Sequence, residues 1–151
     1  MKNKQTGVAL VEFALVLPLL LILTFIVTEY SRALYEYNTL TKSVRDAARY
    51  LSTQNPGTKI TEAKNLVVFG NLAGTGTPLA FGLTTAQVPA PVWLPKGAAP
   101  VINTVTVQVG YGAAGTAAQN YTFTPLVASV FGLNFGNVTY APISATMRGQ
   151  L

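Results

Sequence analysis

Val8-Ala-Leu-Val-Glu12-Phe13-Ala-Leu-Val-Leu-Pro18-Leu-Leu-Leu-Ile22-Leu-Thr24-Phe25-Ile-Val27 is the stretch whose reading decides how this chain is built. These twenty residues hold one charge, Glu12, five positions after Gly7. An apolar helix of about 20 residues spans the hydrocarbon core of a bilayer. A carboxylate at the centre of such a helix costs about 2.5–3.5 kcal/mol on insertion scales. Glu12 therefore either reaches back toward the headgroups or has a function. Pro18 removes one backbone hydrogen bond, a loss that membrane helices tolerate.

Outward from this segment, residues 1–7 form a polar, basic leader. Beyond Val27 the helix should continue, because residues 28–53 contain neither Gly nor Pro. Apolar residues recur there at helical spacing: Tyr30, Ala33, Leu34, Tyr37, Leu40, Val44, Ala47, Ala48 and Leu51. Glu29 with Arg32, Arg32 with Glu36 and Lys42 with Asp46 add pairs three or four residues apart. Asn55-Pro56-Gly57 is a stop signal. The expected organisation is a leader over 1–7, a membrane segment over 8–27, a helical continuation over 28–54 and a small α+β domain over 55–151.

Within that domain, residues 61–71 read as a second helix, with Thr61 as N-cap, Ala63, Leu66, Val67 and Phe69 as its apolar set, and Gly70 near its end. Residues 70–100 include ten Gly or Pro among 31 and read as an irregular loop with short extended pieces. Trp93 in that loop is either an exposed contact or packed on the domain. Val105, Val107 and Val109 alternate with Thr104, Thr106 and Gln108, which predicts a strand. Residues 110–119 read as a Gly/Ala-rich turn and 120–124 as a second strand. Residues 125–131 read as one or two helical turns, and 138–147 as a third strand, with Ile143, Ala145 and Met147 on one face and Pro142 marking an edge or bulge. The expected fold class is α+β: a long N-terminal helix, a short second helix and a three-stranded antiparallel sheet covering the apolar stripe of the long helix.

Composition excludes several chemistries. The chain has 151 residues, no Cys and no His. Disulfides, Cys/His zinc sites, Cys nucleophiles and His-based triads are therefore ruled out. The five acids, at 12, 29, 36, 46 and 62, make no paired-carboxylate pattern, and no phosphate-binding or nucleophile-elbow motif occurs. No enzyme, metal or cofactor is expected. The net charge of +5 is not gathered into a basic patch with interleaved aromatics, so no nucleic acid is expected either. Thirteen of the fifteen charged residues lie in the first 64 positions, and only Lys96 and Arg148 follow. Arg45 and Arg49, four apart, read as a solvated helix face or a partner-binding stripe, and Tyr30, Tyr35 and Tyr37 as an aromatic belt beside the membrane. Basic residues flank the membrane segment on both sides (Lys2 and Lys4 before it, Arg32, Lys42 and Arg45 after), so charge alone does not orient it.

The blocks Gly7-Val-Ala-Leu-Val-Glu12-Phe13-Ala-Leu-Val-Leu-Pro18, Ser31-Arg32-Ala33-Leu34-Tyr35 and Arg45-Asp-Ala-Ala-Arg49-Tyr50 resemble the TadE-like proteins, pseudopilins of the Tad/Flp type IV pilus system. Tyr121-Thr-Phe-Thr-Pro125 and Ile143-Ser-Ala-Thr-Met147-Arg148 look like that family's C-terminal strands, whereas residues 72–100 carry no likeness. The resemblance implies cleavage between Gly7 and Val8 by a prepilin peptidase. It implies that Glu12, fifth residue of the mature chain, aligns subunits, with Phe13 as the aromatic that follows it. It implies a single-pass bacterial inner-membrane protein with a cytoplasmic N-terminus and a periplasmic domain. Its partners would be membrane lipid, other pilin or pseudopilin subunits and the Tad assembly machinery. The size beyond the helix departs from major pilins. It suggests a minor subunit acting in assembly, initiation or tip formation, with adhesion a further role and entry into the extracellular pilus left open. The competing reading is a signal-anchored or secreted envelope protein unrelated to pili; no A-x-A cleavage site follows the apolar run.

Overall fold

The computed structural model describes residues 4–112 and 119–150. Helix α1 runs without interruption from Lys4 to Ser52, 49 residues and therefore about 74 Å at 1.5 Å per residue. It continues through Pro18. Met1 to Asn3 of the leader lie outside the described residues, as does most of the turn expected over 110–119.

The second half of α1 packs against the rest of the chain. Leu40, Val44, Ala47, Ala48 and Leu51 are buried, the C-terminal part of the stripe that helical spacing predicted, whereas Tyr30, Leu34 and Tyr37 of its first part are exposed. Helix α2 (Ile60–Phe69) packs against it through Ala63, Val67 and Val68. Its N-cap is Lys59, in the left-handed region, and not Thr61: the chain leaves the Pro56-Gly57 turn and enters the helix two residues earlier, with no side-chain cap. Gly70 closes α2 at φ 71°, donating its N–H to Leu66 O, the arrangement that glycine permits at a helix end.

The three-stranded antiparallel sheet is present, in the order β1 (Val92–Lys96), β2 (Ile102–Val109), β7 (Ile143–Arg148). Strand β2 turns Val105, Val107 and Val109 onto α1. In register beside them stand Trp93 and Met147, Ala145, and Ile143 respectively. Thr104 and Thr106 stand on the opposite face, where Thr106 and Thr146 share a 2.8 Å hydroxyl contact.

The membership of this sheet corrects the expectation. Its third strand comes from the Pro-rich segment, not from residues 120–124. Proline is tolerated in β1 because that strand lies at the edge, and Trp93 is half-buried against the core rather than a free contact. Residues 122–123 instead form β3, paired with β6 (Val138–Thr139) in a separate two-stranded ladder. The expected 138–147 strand is thus split in two, with Pro142, which offers no N–H, in the gap. The helical turns expected over 125–131 are absent. In their place β4 (Ser129–Val130) and β5 (Leu133–Asn134) form a hairpin, turning at Phe131 (φ 49°) and Gly132 (φ 83°). Two consecutive positive φ angles are what tight hairpins favour.

Candidate functional site

Two regions of α1 carry the polar groups that need explanation. The first is the N-terminal segment. Gly7 has open space around its Cα, and Val8 and Phe13 are each about six-tenths exposed. Glu12 is exposed as well. The apolar window of the helix is not buried anywhere in the fold, although it is long and apolar enough to cross a membrane. Val8 and Glu12, four apart, share one helix face, and Glu12 lies about 7.5 Å along the axis from Gly7. Among the described residues Glu12 has no hydrogen-bond or ion-pair partner. The hydroxyls at the far end of the segment do: Thr24 donates to Leu20 O, Thr28 to Thr24 O, and Ser31 to Val27 O, at 2.7–2.8 Å. Such back-bonding satisfies hydroxyls that a lipid environment could not. Glu12 is thus the exception on this surface, a carboxylate without a partner among the described residues.

The second region begins two residues beyond Val27. Glu29, Arg32 and Glu36 lie on one face of α1, and both carboxylates are buried. Arg32 Nη1 is 2.7 Å from Glu29 Oε2, and Arg32 Nη2 is 3.7 Å from Glu36 Oε1. The other oxygen of each carboxylate reaches the C-terminal half of the chain. Glu29 Oε1 accepts the backbone N–H groups of Leu126 and Val127 at 3.1 and 3.2 Å. Glu36 Oε2 accepts the Tyr121 hydroxyl at 2.5 Å. Tyr140 donates to Ala33 O at 2.8 Å, and its ring lies edge-on to Tyr37 and against Tyr121. The Arg32 guanidinium stands 5.3 Å from the centre of the Phe123 ring. Burial, then the hydrogen bond to Glu36 and its charge, push the Tyr121 hydroxyl well above the ordinary tyrosine range. Burial, then the charge of Glu36, raise Tyr140.

This cluster holds β3 and the 125–127 segment to the helix where α1 leaves its apolar section. No group of three or more metal-ligating side chains occurs among the described residues.

Of the sequence-predicted residues, Gly7, Val8, Glu12 and Phe13 stand together on the exposed start of α1, away from the domain. Arg45 and Arg49 are exposed, which suits a solvated face and a partner-binding stripe alike. The Glu29–Arg32 and Arg32–Glu36 pairs form; Lys42 and Asp46 do not come within ion-pair distance, both side chains standing in solvent. Sequence reasoning treated Glu29 and Glu36 as local helix support and missed their long-range partners. The available signal was that two acids and one arginine, at i, i+3 and i+7, share a face with the apolar stripe.

The family model of TadE-like proteins matches residues 7–49. No curated protein and no solved structure matches the chain. The matched segment includes Gly7, Glu12 and the whole Glu29–Arg32–Glu36 cluster, and ends before the domain that α1 supports.

Proposed function

We propose that this chain, a TadE-like protein by its residues 7–49, is a minor pilin (pseudopilin) of a Tad-type pilus. In this reading it is inserted in the inner membrane with its N-terminus in the cytoplasm, cut between Gly7 and Val8 by a prepilin peptidase, and used in assembly, initiation or tip formation. The 8–27 segment is the membrane anchor, and the α+β domain stands in the periplasm or on the pilus.

The observation that carries the reading is Glu12, without a partner among the described residues, on an exposed apolar helix surface inside the family-matched segment. A carboxylate in lipid is costly, and an opposite charge offered by another subunit offsets that cost. The new α-amine that cleavage would create on a neighbouring Val8 is such a charge. Subunits staggered by four or five residues would bring amine and carboxylate together, since Glu12 lies four residues along from Val8. Phe13, exposed beside it, adds apolar contact area between packed helices.

The test is Glu12→Ala. Membrane insertion should be kept, because the substitution only removes a charge from an apolar segment, while pilus formation is lost. Unchanged piliation would remove the assembly role from Glu12.

A further inference from the structure

We infer that the membrane-proximal end of the domain, led by the β4–β5 hairpin, is a second lipid-contacting element that rests on the bilayer surface beside α1. The inference depends on the reading of residues 8–27 as a membrane anchor, and it commits to phospholipid as the occupant of this face.

The first support is position. Leu126 and Val127 are tied by their N–H groups to Glu29, only about 3 Å along the helix axis from Val27. Ile26, one residue inside the anchor, lines a single groove with Asn134, Phe135 and Gly136 at the foot of the hairpin. On the other side of the helix Val27 shares a groove with Leu79 and Phe81. Both loops therefore reach down to the level where the apolar run ends. A domain attached at that level cannot keep these loops away from the headgroups.

The second support is what these loops expose. Leu126 is 76% exposed, Phe131 65% and Phe81 73%, and Leu133 is half exposed. Single exposed apolar residues are ordinary on a protein surface; several gathered at one end mark a contact. Phe131 occupies the tip of the hairpin at φ 49°, a backbone region that bulky residues rarely adopt, and its ring is left in solvent instead of the core.

The third support is the distribution of charge. Residues 125–136 contain no charged side chain. On α1 beyond Val27, the charges nearest the anchor are Glu29, Arg32 and Glu36, which are tied to one another. Lys42, Arg45, Asp46 and Arg49 follow farther along the helix. Lys96 and Arg148 sit opposite Ile102 and Thr104 at the start of β2. That end of the sheet is tied to the end of α1 by the bond from Gln150 N–H to Ser52 O. Free charge is thus gathered at the far end of the domain, where Leu94 and Val101 are also exposed, whereas the anchored end presents apolar side chains without it, as an element buried about 5–10 Å into the headgroup and acyl boundary does.

The natural absence of cysteine makes the test direct. The full chain, carrying L126C, F131C, L17C or K96C one at a time, is labelled with an environment-sensitive fluorophore. Each is reconstituted in phosphatidylethanolamine/phosphatidylglycerol vesicles without nitroxide lipid and with lipid bearing a nitroxide near the headgroup end of its acyl chain, and L17C, at the middle of the 8–27 segment, is read with lipid bearing the nitroxide near the methyl end. The proposal expects blue-shifted emission and loss of most intensity to the nitroxide at L126C and F131C, with K96C unaffected. A quenched L17C beside unquenched L126C and F131C overturns the resting hairpin while leaving the anchor in place. An unquenched L17C overturns the anchor reading itself. If L126C and F131C are unquenched, and self-quenching between labels rises with protein density, a second copy covers this face instead of lipid.

Discussion

Replacing Tyr121 by Phe removes one oxygen from the junction between α1 and the C-terminal strands and leaves the ring in place. That oxygen is the hydrogen-bond donor to Glu36 Oε2 at 2.5 Å, and it also lies 3.2 Å from Phe81 O. The other carboxylate oxygen of Glu36 has only the 3.7 Å approach of Arg32, too long for a hydrogen bond. Tyr121→Phe therefore leaves a buried carboxylate with no close donor. A hydrogen bond to a charged group contributes about 1.5–3 kcal/mol. At about 4 °C per kcal/mol for a domain of this size, the midpoint of thermal unfolding should fall by about 6–12 °C. The assay is near-ultraviolet circular dichroism of the full chain in detergent micelles, which follows Trp93 and the packed tyrosines while the anchor stays in the micelle. The same substitution in a Glu36→Leu background should cost far less, because the carboxylate that needed the donor is gone. An unchanged midpoint for Tyr121→Phe, or equal losses in both backgrounds, would refute the account of the junction.

Both Tyr121 and Tyr140 are raised above the usual tyrosine value by burial and by Glu36. Their neutral forms favour the fold, so this contribution is complete below the unfolded value of about 10 and is lost as pH rises from there through the raised folded-state values. Stability measured by denaturant titration should fall above pH 10, and Tyr121→Phe should flatten that fall; an identical slope would count against the buried hydroxyl. Leu40→Ala, at a fully buried position of the α1 stripe, should cost about 2–5 kcal/mol in the same titration, and a loss below 1 kcal/mol would mean that α1 is not the centre of the core. Gly70→Ala forces a side chain into φ 71° with its Cβ 3.3 Å from Leu79 Cδ2, so destabilisation of about 1 kcal/mol is expected; a stabilised variant would show that the α2 end is free to rearrange.

What could be read in advance follows from the range of the interactions involved. Helix α1 and strand β2 announce themselves because their apolar spacing is local and regular. Leu40, Val44, Ala47 and Leu51 mark one face of a helix, and Val105, Val107 and Val109 one face of a strand. Strand β1 hides behind Pro91 and Pro95, since local preference argues against pairing and only the edge position in the sheet permits it. Residues 122–123 look like any short strand; Tyr121 decides their placement by reaching 85 positions back to Glu36, a distance over which no periodicity speaks. The 125–131 segment turned into a hairpin for a similar reason: the Leu126 and Val127 amides are held by Glu29, 97 and 98 positions away. The Gly7–Glu12 spacing was legible because it lies within one short helical stretch.

The central claim is that residues 1–7 are removed and that Glu12 becomes the fifth residue of the working subunit. Mass spectrometry of the N-terminus of the protein purified from membranes tests it most directly. The account predicts a chain that begins at Val8, and a chain that keeps Gly7 when the prepilin peptidase is deleted. An intact Met1 in both strains, or a chain beginning beyond Val27, would contradict it.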